Sequence, residues 1–205
     1  MGRDGKPTKD KILTESKALV LENGFAGTSI DQILEKTSIT KGAFFYHFKS
    51  KNELAKALIE EHAREDKAEM DKVLERTEHL ESDPLNRLLQ FVQEFIDMMS
   101  SLPTPYPGCL YASYIYETQS FGQEINNFIC DSISLWRATF ESLLNSVLEE
   151  YDTKLEVDMK SLADMFKVIF EGAFIVSKAL DEPDVMAKQL RHLKNYFELI
   201  FEPIE

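Results

Sequence analysis

The sequence predicts an all-α protein, and three observations carry that prediction. Apolar residues recur at three- and four-residue spacing over most of the chain. Helix-start and helix-stop signals punctuate the pattern at Asn23-Gly24, Thr40, Asp83-Pro84 and Asp181-Glu182-Pro183. No segment shows convincing strand alternation, and no internal repeat is found.

Taken in order, Ile12, Leu13, Ser16, Leu19 and Val20 share one face of a first helix over 8–23, ended by Asn23-Gly24, with Phe25 in the turn. Thr28 with Asp31 three residues later reads as a capping box, and Ile30, Ile33 and Leu34 give a second, short helix its apolar stripe. Thr37-Ser38-Ile39 leads to another cap at Thr40. The segment Lys41 to Phe48 is too short to be stable alone and must be held by the two helices before it. A long helix then runs through Leu54, Ala57, Leu58 and Ile59 to about Leu80, its second half densely charged like a solvated connector. Asp83-Pro84 opens a helix carrying Leu88, Leu89, Val92, Phe95, Ile96 and Met99. Three prolines within 101–108 break the pattern. Helical spacing resumes over 109–118, 121–150 and 156–180, and from Asp184 to about Phe201. The expected architecture is a small N-terminal three-helix domain, residues 1–52, followed by a larger helical domain, residues 53–205.

Taken over the whole chain, the formal net charge of -13 argues against a polyanionic partner, but its distribution reverses that inference. Residues 1–60 hold 10 Lys and Arg against 8 Asp and Glu, whereas the remaining 145 hold 13 against 28. Only the N-terminal part can approach a phosphate backbone without strong repulsion. No run reaches the roughly 20 apolar residues that span a bilayer, and the N-terminus has no apolar secretion signal, so a cytoplasmic, membrane-free protein is expected. Cys109 and Cys130 are too few for a disulfide scaffold and lack metal-ligand spacing. Neither a metal nor a cofactor is expected. The histidines at 47, 62, 79 and 192 form no cluster, and no nucleophile is paired with a base, so the pattern is not that of an enzyme.

Three short helices, the second and third joined by a tight turn, form the geometry that inserts one helix into a major groove. In the third, Gly42 and Ala43 keep one face small, while Phe44 and Phe48, four apart, can anchor the helix to its domain. Lys41, Phe45, Tyr46 and His47 are left pointing outward or sideways. Large exposed aromatics want a partner, and sugar-phosphate or base edges supply one. Lys49 and Lys51 add charge at the next helix start.

The stretch GFAGTSIDQILEKTSITKGAFFYHFKSKNEL, Gly24 to Leu54, resembles the DNA-binding signature of the TetR/AcrR family of bacterial regulators. The matching elements are Gly24-Phe25, Thr28-Ser29, Ile33, Thr40-Lys41-Gly42, the aromatic run to His47-Phe48, and Lys51 with Leu54. The resemblance implies a homodimeric helix-turn-helix regulator of transcription that binds a palindromic operator in double-stranded DNA. Most members are repressors released by a small-molecule effector; an activator or an effector-independent regulator is the alternative, and a protein-binding helical module the more distant one. It implies phosphate contacts for Thr28, His47 and Lys51, and base or backbone contacts for Thr40, Lys41 and Tyr46, with Arg3 and Lys6 as an arm. Phe45 stands where the family usually has tyrosine, which leaves apolar packing such as a thymine methyl. Leu34, Thr37 and Ser38 replace the commoner Ala, Ala and Gly.

In the C-terminal region, Phe166, Phe170, Ala173 and Phe174 line one apolar stripe beside Gly172, and Leu193, Tyr196 and Phe197 another. Spacing alone fits an internal core or an interface; the resemblance implies a dimer interface built as a four-helix bundle. It also places Phe95, Tyr111, Tyr114, Phe128, Trp136 and Phe140 on helices that enclose an effector, which an aromatic cavity would make flat or apolar, although the same residues suit a plain core. Cys109, in PGCLYAS at 107–113, resembles a Gly-Cys-Leu feature of part of the family and is a candidate oxidant or electrophile sensor, with structural packing the alternative.

Overall fold

The computed structural model describes residues 6–117 and 121–204. Among them are nine α-helices and a two-stranded sheet, in the order α1 (Lys6–Gly27), α2 (Ile30–Thr37), α3 (Lys41–His47), α4 (Lys51–Thr77), α5 (Pro84–Ser100), α6 (Leu110–Ile115), α7 (Gln123–Val147), β1 (Tyr151–Thr153), α8 (Met159–Leu180), α9 (Val185–Ile200) and β2 (Phe201–Pro203). The all-α prediction holds. Two compact units divide the chain: Met1–Glu65 with Pro107–Cys130, and Asp66–Tyr106 with Asp131–Glu205. The segment 107–130 therefore packs in the same unit as α1, α2 and α3.

In the first unit, Ile12 and Val20 of α1, Ile33 of α2, Phe44 of α3 and Phe48 just beyond it are buried together with Leu54, Leu58 and Ile59 of α4. Leu110, Tyr111 and Tyr114 of α6 and Phe121 add to the buried set. Helical geometry in α1 breaks at Gly24, whose φ of 75° and ψ of 165° a side chain would rarely tolerate. The predicted stop at Asn23-Gly24 is thus a break, followed by one further turn carrying Phe25 into the core.

The capping box of α2 sits one residue later than the sequence suggests. Ser29 Oγ accepts from the Gln32 N–H at 3.2 Å, and Gln32 Oε1 accepts from the Ser29 N–H at 2.7 Å. The Thr28 hydroxyl is already committed, donating to the Gly24 carbonyl at 2.8 Å, and Asp31 has no part in the box.

The second unit is built on stacked aromatic rings. Phe95 of α5 lies 5.5 Å from Trp136 of α7 and 5.2 Å from Phe166 of α8. Phe166 stacks on Phe140 at 4.6 Å and on Trp136 at 5.5 Å. Such pairs contribute about 0.5–1.5 kcal/mol each beyond simple burial. Leu190, Leu193 and Phe197 of α9 complete the core. Pro84 lies in the first turn of α5, capped by Asp83, and Asp158 caps α8 by accepting from the Ser161 N–H at 2.8 Å.

The strand pair departs from the sequence expectation. β1 and β2 run antiparallel, with Tyr151 opposite Pro203 and Thr153 opposite Phe201. Each strand is three residues long, too short to register an alternation, and its partner lies about fifty residues away in the chain.

Candidate nucleic-acid interface

The turn between α2 and α3 is set by Ser38, which caps α2 in the left-handed conformation (φ 55°, ψ 35°) and donates its N–H to the Glu35 carbonyl. A glycine is the usual occupant of such a position, so serine carries a backbone cost of about 1–2 kcal/mol that the surrounding helices must offset. Thr37 helps: its buried hydroxyl donates to the Ile33 carbonyl at 2.5 Å. These two residues, which depart from the common pattern of the family, are compatible with the turn it requires.

Thr40 opens α3 by accepting from the Ala43 N–H at 3.2 Å. Phe44 and Phe48 point inward and are fully buried, with ring centres 6.0 Å apart. That fixes the opposite side of α3 in solvent. Tyr46 is 74% exposed, Lys41 and Thr40 are exposed, and Phe45 and His47 are partly so. The Phe45 ring packs edge-on to Phe44 at 5.3 Å, and the Tyr46 ring edge-on to His47 at 5.0 Å. A Cβ at Gly42 would meet only Thr40 Oγ1 at 4.0 Å, so this fold does not itself demand glycine there. Lys49, next along the chain, is exposed and donates to the Phe45 carbonyl at 3.0 Å.

Thr28 and Lys51 are placed differently. Thr28 is buried, and Lys51 is partly buried with its ammonium donating to the Phe25 carbonyl and lying 4.1 Å from the Phe25 ring centre. Burial lowers the Lys51 pKa, and the nearby Glu117 carboxylate opposes that shift. Glu117 also accepts the backbone N–H of Ala26 at 2.7 Å. Sequence reasoning misses Glu117, because a contact spanning 91 residues leaves no local signature. Lys6 begins α1, and Arg3 lies outside the described residues.

The six candidate effector residues fall in two groups. Phe95, Trp136 and Phe140 are buried in the second unit, where the Trp136 Nε1–H donates to Asp66 at 2.7 Å. Tyr111 and Tyr114 are buried in the first unit, where Phe128 is half-buried. The Tyr114 hydroxyl donates to the Ala55 carbonyl at 3.2 Å, and burial, aided by Glu117, pushes its pKa well up. A cavity of about 260 Å³ in the first unit is lined by Asp10, Leu13, Thr14, Lys17, Leu58, Glu61 and Glu65, none of the six. Cys109 is buried at the start of α6, and Cys130 is exposed.

The residues of the candidate interface stripe divide by exposure. Phe166, Ala173, Phe174, Leu193 and Phe197 are buried within this single chain, and Phe170 and Tyr196 are half-buried. A different face is open: Val168 (67% exposed), Ile175 (61%), Val176 and Leu180 on α8, and Leu199 (70%) on α9. Its spacing of four, seven and eight residues through Gly172 is present in the sequence, beside the bulkier phenylalanine stripe that dominates the pattern.

Comparison with known proteins bears on this geometry. Residues 12–58 match the model of bacterial regulatory proteins of the tetR family, and residues 84–193 match that of a tetracyclin repressor-like C-terminal domain. The chain is 25% identical over 207 residues to an HTH-type transcriptional regulator in the lacX 3' region of Lactococcus lactis subsp. lactis, covering 95% of each chain. It is 26% identical over 164 residues to the biofilm operon icaADBC HTH-type negative transcriptional regulator IcaR of Staphylococcus aureus (strain Newman), covering 74% of this chain and 86% of that one. A TetR-family regulator from Agrobacterium tumefaciens shares the fold, with a TM-score of 0.78 at 18% identity, over 97% of this chain and all of the other.

Proposed function

Because the chain belongs to the tetR family and is a DNA-binding transcriptional regulator, we propose that it acts as a homodimeric repressor released from a palindromic operator by a small-molecule effector. The observation that carries the DNA-reading part is the solvent face of α3. Tyr46 is held out by the buried Phe44 and Phe48, beside Lys41 and the small Gly42, in the one region that is not acidic. Tyr46, Phe45, Thr40 and Lys41 reach bases and backbone, while His47 and Lys51 grip phosphates; Thr28, buried with its hydroxyl spent on the Gly24 carbonyl, supports the turn beside them instead. Repression rests on the likeness to the negative regulator of the icaADBC operon.

Dimerisation is assigned to the open α8 and α9 face, with Val168, Gly172, Ile175 and Val176 at the centre and Tyr196 and Leu199 beside them. A two-fold protein reads two half-sites, which is why the operator is a palindrome. The effector is flat or apolar and engages some of Phe95, Tyr111, Tyr114, Phe128, Trp136 and Phe140. Rings in mutual contact must part to admit it, and that repacking would change the spacing of the two α3 helices. The Cys109 thiol is buried, so a sensor role for it requires the same opening. The domain roles divide at 52/53, and the protein works in the cytoplasm. No helix among the described residues is long and apolar enough to cross a membrane.

The test is selection of genomic fragments by the purified protein at moderate salt, followed by footprinting of the retained duplexes. The expected result is an inverted-repeat sequence protected on both half-sites. Recovery of no preferred duplex by folded protein would reject the reading.

A further inference from the structure

The turn after Gly24 is tethered from several sides, and one tether comes from outside the helix-turn-helix. Amides at the start of a helical turn have no partner within it. Ala26 finds one in the Glu117 carboxylate, 2.7 Å away and two residues beyond α6. A charged acceptor makes the stronger kind of hydrogen bond. Within the turn, Thr28 donates its hydroxyl to the Gly24 carbonyl at 2.8 Å and its N–H to the Phe25 carbonyl at 3.2 Å. That same Phe25 carbonyl takes the Lys51 ammonium. Tyr114 and Phe121 flank the Phe25 ring at 5.4 and 4.7 Å. A Cβ at Gly24 would come within 3.1 Å of Glu117 Oε1, so the carboxylate closes on bare backbone.

We propose that Glu117 is a positioning residue for DNA binding: by holding the Ala26 amide it fixes the turn whose Phe25 carbonyl holds the Lys51 ammonium in place for phosphate. The proposal rests on the DNA-binding role of Lys51 argued above. Glu117 touches no DNA itself. It acts through the backbone turn whose Phe25 carbonyl also takes the Lys51 ammonium. A displacement of residues 110–117 would then loosen the phosphate grip while leaving α3 and its caps unchanged.

The test compares wild type, Glu117→Ala and Glu117→Gln for binding a fluorescently labelled mixed-sequence duplex over a salt series, with a thermal melt of each protein. Glu117→Ala should bind roughly tenfold more weakly, and the slope of log K against log salt should shrink by about 0.9 for each phosphate the protein no longer neutralises. Glu117→Gln keeps an acceptor oxygen and should stay within about threefold of wild type. Weaker binding at an unchanged slope would mark simple destabilisation and overturn the proposal. So would wild-type affinity and slope in Glu117→Ala. A folded wild type with no salt-dependent binding would reject the DNA-binding assignment along with it, and that outcome is distinct from a failure confined to the variants.

Discussion

Both α3 and α8 leave large apolar side chains in solvent, but they do so in different company. On α3 the exposed group is Tyr46, an aromatic with a polar tip, set between Lys41 and Lys49 on a seven-residue helix anchored by Phe44. On α8 the exposed groups are the aliphatic Val168, Ile175, Val176 and Leu180, on a 22-residue helix whose opposite side buries Phe166 and Phe174. A lone amphipathic ring among cations suits a polar, charged partner such as a nucleic acid. A continuous aliphatic stripe with a glycine inside it offers no hydrogen bonds and suits a second helix. Exposure alone does not separate the two; the neighbouring chemistry does.

The comparison can be broken most forcefully at α8. Replacing Val168 and Ile175 together by Asp should convert the proposed dimer to monomer in sedimentation velocity, since each unpaired charge forced into an apolar interface costs about 3–5 kcal/mol. An unchanged sedimentation coefficient would remove α8 from the dimer contact. Next in size, Phe166→Ala should destabilise the second unit by about 3–5 kcal/mol in thermal or denaturant unfolding, because it empties the centre of the ring stack. The nearby Val168→Ala, made in an Ile175→Asp background that sedimentation shows to be monomeric, should change stability by less than about 0.5 kcal/mol. That contrast between close neighbours would show which face of α8 is core. Loss of the α3 cap is a smaller effect than emptying the ring stack: Thr40→Ala should cost about 1 kcal/mol of stability, measured by denaturant titration.

Much of this architecture is legible in the chain. Asn23-Gly24, Thr40 and Asp83-Pro84 mark local events that depend on a few adjacent residues, and the breaks and caps they predict are found at or next to them. The α2 cap is displaced by one residue from its expected place because Thr28 and Ser29 offer equivalent hydroxyls; only the Gly24 carbonyl beside Thr28 decides between them. The solvent face of α3 can be read from the four-residue spacing of Phe44 and Phe48. What cannot be read depends on distant partners. The strand pair joins 151–153 to 201–203, and Glu117 reaches back to the amide of Ala26. For α8 the sequence shows two apolar stripes and does not say which one the subunit consumes; the larger phenylalanine side chains go inward because they bury more area.

The most direct test of the α3 assignment is Tyr46→Ala, assayed by gel shift against a duplex recovered from genomic selection and by thermal melting in parallel. At 74% exposure the ring contributes little to the fold, so the melt should shift by no more than about 0.5 kcal/mol equivalent while affinity falls by about tenfold or more. An unchanged affinity with an unchanged melt would contradict the account, because the large aromatic side chain that α3 holds out in solvent would then have no role in reading DNA.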